Sequence, residues 1–207
     1  MTDINHERTR PVVPPAVPSG FSRSDPAIVA VRPTQTPRDL DAAAEAALAR
    51  LIILLRKASS AREAAWAMSS EAIAALGLED CVVYLIDAQG SMLTQVAAYG
   101  PKLKAPKVIE HPITLRVGQG VVGACALARD VVRIDDTRRD PRYVIDDDER
   151  LSELAIPLLH HDLLLGVLDT EHSQLAFYTD RHVRVLQQMA GLLAERLAQL
   201  RDGDAGG

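Results

Sequence analysis

A glycine-rich segment limits the folds open to this chain more than any other stretch; it reads GQGVVG over residues 118–123. Its G-x-G-x-x-G spacing matches the dinucleotide-binding fingerprint, which requires a strand, a helix and a second, parallel strand. The chain before it instead predicts an antiparallel hairpin, with strands at Cys81–Ile86 and Met92–Tyr99 around a turn at 87–90. We therefore reject a dinucleotide site and predict that the glycines make a tight turn into a short helix packed closely on a sheet.

A second hairpin follows further along the chain. The strongly apolar segments 152–159 and 163–169 flank the tight connection His160-His161-Asp162, so they predict two central strands of the same sheet. The full predicted order is helix, helix, hairpin, strand, short helix, strand, long loop, hairpin and helix. Such an order is typical of an α+β fold with an antiparallel sheet.

The first and last helices, predicted at 38–57 and 180–200, each carry two apolar stripes. The stripes of the first helix are Leu40, Ala44, Ala47, Leu51 and Leu54, and beside them Leu48, Ile52 and Leu55. Those of the last helix are Val183, Leu186, Ala190, Leu193, Leu197 and Leu200, and beside them Val185, Met189 and Leu192. Since one stripe suffices to cover a small sheet, the second predicts a homodimer through helices 38–57 and 180–200.

Proline content divides the chain. Seven of its twelve prolines lie in residues 1–37. Each proline removes a backbone donor and favours extended geometry at the residue before it, so regular structure is disfavoured there. We predict a disordered tail at 1–37, one domain at 38–201 and a flexible C-terminus at 202–207.

Charge and composition argue against several classes of partner. A net charge of −5 and an aromatic content of 3% disfavour nucleic acid and anionic membranes. The chain shows neither a signal-peptide pattern at its start nor an apolar run near the roughly 20 residues of a membrane helix. Cys81 and Cys125 lie in apolar surroundings and are predicted to be buried thiols, which favours a cytoplasmic protein.

Several short segments, in order along the chain, resemble the GAF domain family. They are 77–87, 118–123 (GQGVVG), 135–143 (DDTRRDPRY), the hairpin 152–158 with 164–169, and 177–180. The resemblance implies a central antiparallel sheet of about six strands, with the N- and C-terminal helices on one face. On the other face it implies a short helix and a long loop that enclose a pocket.

The resemblance also indicates which side chains line such a pocket. We expect ligand contacts from Tyr84, Val122, Tyr143, Glu153, Asp169 and Glu171. Asp169 and Glu171 are the sharper candidates, because buried carboxylates usually mark ligand contacts or internal pairing. The alternative is that these two carboxylates cap the loop before Phe177 by accepting hydrogen bonds from backbone amides. No metal ligands are predicted, and the cofactor is unknown.

These observations favour a non-catalytic regulatory or sensory protein of bacterial type, binding an unidentified small molecule, a partner signalling protein, or both. A ligand-free interaction scaffold is one alternative. Another is a reductase like the free methionine-R-sulfoxide reductases of the GAF family, whose chemistry needs an attacking thiolate and a resolving cysteine. Val122 and Asp146 stand where those enzymes have cysteines, and the run Asp146 to Glu149 is expected to be a solvated loop. We therefore predict no catalytic residues and no enzymatic activity.

Overall fold

The computed structural model of the protein describes residues 37–69, 76–146 and 148–205. Its α-helices are α1 (Pro37–Lys57), α2 (Ala61–Ala67), α3 (Gly120–Ala128) and α4 (Asp180–Ala205). Its strands are β1 (Cys81–Ile86), β2 (Met92–Tyr99), β3 (Leu103–Ala105), β4 (Val108–Ile109), β5 (Thr114–Arg116), β6 (Val132–Ile134), β7 (Ser152–His160) and β8 (Leu163–His172). The predicted disordered tail lies outside the described residues except for Pro37.

Six strands form one antiparallel sheet in the order β5-β2-β1-β8-β7-β6. The predicted α+β class and the six-stranded antiparallel sheet are confirmed. Strands β3 and β4 form a separate small hairpin that the sequence pattern did not predict.

The sheet separates two apolar cores. Helices α1, α2 and α4 pack on one face, where Leu51, Trp66 and Leu193 are among the buried side chains. Helix α3 packs on the other face, where Val122 and Cys125 contact the sheet. The N- and C-terminal helices therefore share one face and the short helix covers the other, as predicted.

The glycine segment makes the predicted tight turn into α3. Gly118 and Gly120 have φ angles of 90° and 71°, which favour glycine. At Gly123 a Cβ atom would lie 2.5 Å from the carbonyl oxygen of Arg116, so the helix approaches the preceding strand too closely for a side chain. These three glycines bring α3 down onto the sheet and leave its N-terminal turn beside the acidic strands.

The long C-terminal helix differs from its prediction in length and in exposure. It continues to Ala205, beyond the predicted helix end at residue 200. Its second stripe is also less exposed than expected: Met189 is fully buried, and Val185 and Leu192 are half-buried against the domain's own core. No helix among the described residues has the length and apolar character to cross a membrane.

Candidate functional site

A small buried cavity lies on the α3 face of the sheet. Strands β1, β7 and β8 form its floor, α3 forms one wall, and residues 140–146, here called the covering loop, form another. Its volume is about 20 Å³. That volume admits about one water molecule, so the covering loop closes tightly over the sheet.

Three carboxyl groups meet in this cavity because of strand register. Glu153 on β7 lies directly opposite Glu171 on β8, and Asp169 is two residues before Glu171 on the same face. Successive strand residues point to opposite faces, so all three side chains point away from the helical core. Their residues are only 4%, 7% and 6% exposed for Glu153, Glu171 and Asp169.

Burial keeps at least two of these carboxyls from ionising normally. It raises the pKa of Glu153 well above its usual range, and the charge of Glu171 raises it further. Burial likewise raises the pKa of Asp169, with the charge of Glu153 as the next cause. Glu153 and Asp169 also hydrogen-bond to each other. The raised pKa values favour the protonated forms of Glu153 and Asp169, and a protonated carboxyl can donate a hydrogen bond as well as accept one.

One oxygen of each of these two carboxyls lacks an ordinary donor. Glu153 Oε2 and Asp169 Oδ1 are buried and accept no hydrogen bond from an N–H or hydroxyl group of the described residues. Buried polar atoms in folded proteins are hydrogen-bonded in the large majority of cases, and the exceptions need an explanation. Both atoms belong to side chains that line the cavity.

The backbone amides of the loop before Phe177 donate hydrogen bonds to side chains other than Asp169. The amide of Gln174 donates to His172 Nδ1 at 3.0 Å, and that of Ser173 donates to Glu79 Oε2 at 2.8 Å. Asp169 instead shares its hydrogen bond with Glu153 in the cavity.

A polar network lines the opposite side of the cavity. Gln95 Nε2 donates to the Tyr84 hydroxyl at 2.8 Å and to Asp146 Oδ2 at 2.6 Å, while Gln95 Oε1 accepts from the amide of Ile113 at 3.0 Å. Lys102 is 4% exposed, and its Nζ forms an ion pair with Asp146. Gln95 thus joins the sheet, the segment before β5 and the covering loop.

Asp146 corrects the expectation of a solvated acidic run. Its side chain is 12% exposed, whereas that of Asp148 is 76% exposed and Glu149 lies at the surface. A carboxylate leaves water when an opposite charge and hydrogen-bond donors replace its hydration, and Lys102 with Gln95 supply both.

The structure brings five of the six expected pocket residues together. Tyr84, Val122, Glu153, Asp169 and Glu171 line the cavity. Tyr143 lies half-buried at its edge, where its hydroxyl accepts from the amide of Arg150 at 3.0 Å and approaches Glu171. Whether these side chains bind a ligand remains a proposal. The cavity also contains residues that the sequence reasoning missed as pocket contacts, namely Lys102 and Asp146, which the network joins through Gln95.

The two cysteines are free and buried on opposite sides of the sheet. Cys81 belongs to the helical core and Cys125 to the α3 core. Burial raises the pKa of both thiols, so neither is a ready thiolate. Within the described part of the chain, no group of three or more histidine, cysteine or acidic side chains is arranged to hold a metal ion.

Comparison with known proteins identifies the family. The GAF domain family model matches residues 58–198. The chain belongs to the GAF domain family. Solved structures similar to this chain include the GAF domain from a phosphoenolpyruvate-protein phosphotransferase of Coxiella burnetii, with 18% identity and a TM-score of 0.69. That match covers 79% of this chain and 98% of the other.

Several free methionine-R-sulfoxide reductases are also similar to this GAF domain. The free methionine-R-sulfoxide reductase of Escherichia coli (strain K12) is 29% identical over 86 residues, which are 42% of this chain and 52% of the enzyme. The matched region thus spans about half the length of that relative. The Neisseria meningitidis reductase, solved in complex with its substrate, is 20% identical with a TM-score of 0.67, covering 77% of this chain and 91% of the enzyme.

These enzymes correct the expectation that the protein has no enzymatic activity. That prediction was wrong, because reductases are among the proteins similar to this chain in sequence and in fold. The positions of two cysteines are too narrow a basis for excluding catalysis throughout a GAF domain. Activity has to be measured directly.

Proposed function

We propose that this GAF domain binds a small polar molecule in the acidic cavity over β1, β7 and β8. The observation that carries the proposal is the pair of buried carboxyl oxygens, Glu153 Oε2 and Asp169 Oδ1, which accept no hydrogen bond from an N–H or hydroxyl group of the described residues. A ligand that donates or accepts hydrogen bonds there would satisfy both atoms and offset their loss of hydration.

The chemistry of the cluster indicates the kind of ligand. An ionised carboxylate accepts hydrogen bonds from an ammonium group, and a protonated carboxyl donates one to a polar oxygen. Glu153, Asp169 and Glu171 together can provide both states, because burial and mutual repulsion make at least one of them hold its proton. Free methionine-R-sulfoxide has an ammonium group and a sulfoxide oxygen, and the similar reductases act on it. It is the first ligand to test.

Binding of such a ligand requires the covering loop to move. The closed cavity of about 20 Å³ has no room for an amino acid. A ligand that binds only the form with an open covering loop would shift the population toward that open form. This population shift would be the signal in a sensory role. We propose that role for the domain.

Replacing both carboxyls by amides should abolish most of the affinity. In isothermal titration calorimetry at neutral pH, Glu153→Gln/Asp169→Asn is expected to bind free methionine-R-sulfoxide at least about tenfold more weakly than the wild type. The reason is the loss of hydrogen bonds that involve a charged group, each contributing about 1.5–3 kcal/mol. Asp162→Asn, at the exposed turn between β7 and β8, is the control and should bind like the wild type. Equal weakening in both variants, or no wild-type binding at millimolar ligand, contradicts the proposal.

Reduction of the bound sulfoxide is the second candidate function, and the reductases that share the fold favour it. The reaction breaks the sulfur–oxygen bond, transfers two electrons to sulfur and releases the oxygen as water with two protons. A dithiol in solution would supply the electrons and become a disulfide, and a protonated Glu153 or Asp169 could deliver a proton. To distinguish binding alone from turnover, the samples used for calorimetry are incubated with a dithiol and assayed for methionine.

We further propose that the protein is a homodimer through α1 and α4. Ile52 and Ile53 of α1 are 38% and 54% exposed, although both are large and apolar. Ile52 borders a groove of about 450 Å³ between the two helices, together with Leu55 and Leu192. Exposed apolar side chains along a helical groove support association with a second copy of the same face.

Charging this surface should separate the dimer. In light scattering at micromolar concentration, the wild type is expected to have twice the chain mass of 22.4 kDa. Ile52→Glu/Ile53→Glu should have the mass of one chain, because four glutamates would be buried at one interface. Leu127→Glu, which charges a 68% exposed side chain on α3, should leave the mass unchanged. A monomeric wild type refutes the dimer.

A further inference from the structure

Asp146 links the covering loop to the polar side of the cavity. Asp146 pairs with Lys102 Nζ and accepts a hydrogen bond from Gln95 Nε2 at 2.6 Å. Both donors belong to the body of the domain: Gln95 lies on β2, and Lys102 lies between β2 and β3. Next to Asp146, Val144 lines the cavity and Ile145 is 62% exposed.

The two donors meet at the same oxygen of Asp146, Oδ2. Lys102 and Gln95 are 4% and 3% exposed. Gln95 is fixed at both ends of its amide, since its Oε1 accepts from Ile113 and its Nε2 also donates to Tyr84. A buried ammonium requires an anion beside it. Lys102 and Gln95 therefore form a preorganised site for one carboxylate, and Asp146 occupies it when the loop is closed.

We propose that Lys102 and Gln95 form a subsite for a carboxylate group of the ligand, and that Asp146 is an internal competitor which leaves when the ligand binds. The inference rests on the proposed function and deepens it. Lys102 lines the same cavity as Asp169 and Glu171. A ligand with a carboxylate and an ammonium group would place the first on Lys102 and the second among the acidic side chains, so the cavity selects small zwitterions.

Departure of Asp146 also explains how the cavity opens. Its carboxylate makes an ion pair and a hydrogen bond between the covering loop and the β2 side of the cavity. When a ligand carboxylate replaces it, Asp146 moves into solvent and Val144 leaves the cavity wall. The exchange keeps Lys102 paired in both states, so ligand binding needs no bare buried charge.

A small carboxylate should replace a deleted Asp146. In Asp146→Ala, sodium acetate is the probe, and sodium chloride at equal ionic strength is the control. At an acetate concentration about ten times its dissociation constant, the thermal midpoint is expected to rise by about 4 °C, and it should keep rising with the logarithm of the acetate concentration above that. The wild type should show no acetate-specific shift, because Asp146 fills the subsite. Lys102→Met/Asp146→Ala should show none either, because the ammonium is gone.

Either of two results overturns the subsite. One is an acetate shift of equal size in Asp146→Ala and Lys102→Met/Asp146→Ala, and the other is no shift in Asp146→Ala. If Asp146→Ala does not fold, Asp146→Asn keeps the shape of the side chain and removes its charge. It should bind free methionine-R-sulfoxide about tenfold more tightly than the wild type, and unchanged affinity also overturns the subsite.

The design separates this inference from the proposed function. Acetate rescue without binding of free methionine-R-sulfoxide leaves the carboxylate subsite standing and refutes the proposed ligand. Binding of free methionine-R-sulfoxide that depends on Glu153 and Asp169 but is unaffected by Asp146→Asn and Lys102→Met supports the proposed ligand and refutes the carboxylate subsite.

Discussion

Gly166→Val is expected to lower the free energy of unfolding by about 3 kcal/mol or more. Gly166 lies in the middle of β8, paired with Leu85 on β1 and Leu158 on β7. A Cβ atom at this position would lie 2.0 Å from the carbonyl oxygen of Tyr84 and 3.2 Å from Leu85 Cα. Both are backbone atoms of the neighbouring strand, so no side-chain rotation relieves the clash. Strand β1 must move, and Tyr84 with its hydrogen bond to Gln95 moves with it.

Urea denaturation measures the loss, and a second glycine provides the control. Gly191 lies inside α4, and a Cβ atom there would have no neighbour within 4 Å. Gly191→Ala should therefore stabilise the protein by about 0.5–1 kcal/mol, since alanine restricts the unfolded chain and favours helix. If Gly166→Val changes the stability by less than about 1 kcal/mol, the close approach of β8 to β1 is not the constraint that we infer.

The fold could be predicted because its elements carry local signals. Residues 60–63 have the S-x-x-E spacing of a capping box at a helix start, and the Ser60 side chain accepts from the Glu63 amide at 3.2 Å. In a capping box the Glu63 side chain would accept from the Ser60 amide, but here it accepts from the amide of Ser59. Asp169 and Glu171 could be recognised because they follow the apolar run of β8 and lie two residues apart, which places them on one face of the sheet.

The other half of the site could not be predicted, because its contacts join irregular segments. Lys102 follows β2 in a turn, and Asp146 lies 44 positions further along in the covering loop. A charged residue in a polar loop is normally solvated, and no periodic pattern relates the two segments. Gln95 offered a weak signal as a polar residue at a buried position of β2, but its three partners depend on tertiary packing. The closed cavity follows from these long-range contacts.

Glu153→Gln/Asp169→Asn should make the protein more stable at neutral pH and change its pH dependence. The pKa of each carboxyl in the folded state lies above the ordinary value, 4.5 for Glu153 and 3.8 for Asp169. Above those ordinary values the unfolded chain releases protons that the folded chain still holds. The stability contributed by this proton binding is complete below the ordinary pKa and is lost as the pH rises toward the folded pKa. The wild type therefore becomes less stable relative to the variant from about pH 5 toward pH 7.

The difference in stability between the variant and the wild type isolates this effect, because groups unaffected by the substitution cancel. It should increase with pH by about 1.4 kcal/mol per pH unit wherever the wild-type cluster holds one extra proton. Urea midpoints at half-unit steps between pH 5 and pH 7.5 measure it. A flat difference for the double variant would mean that both carboxyls are ionised when folded. Weak ligand binding together with higher stability would be the pattern of side chains kept for function at the expense of stability.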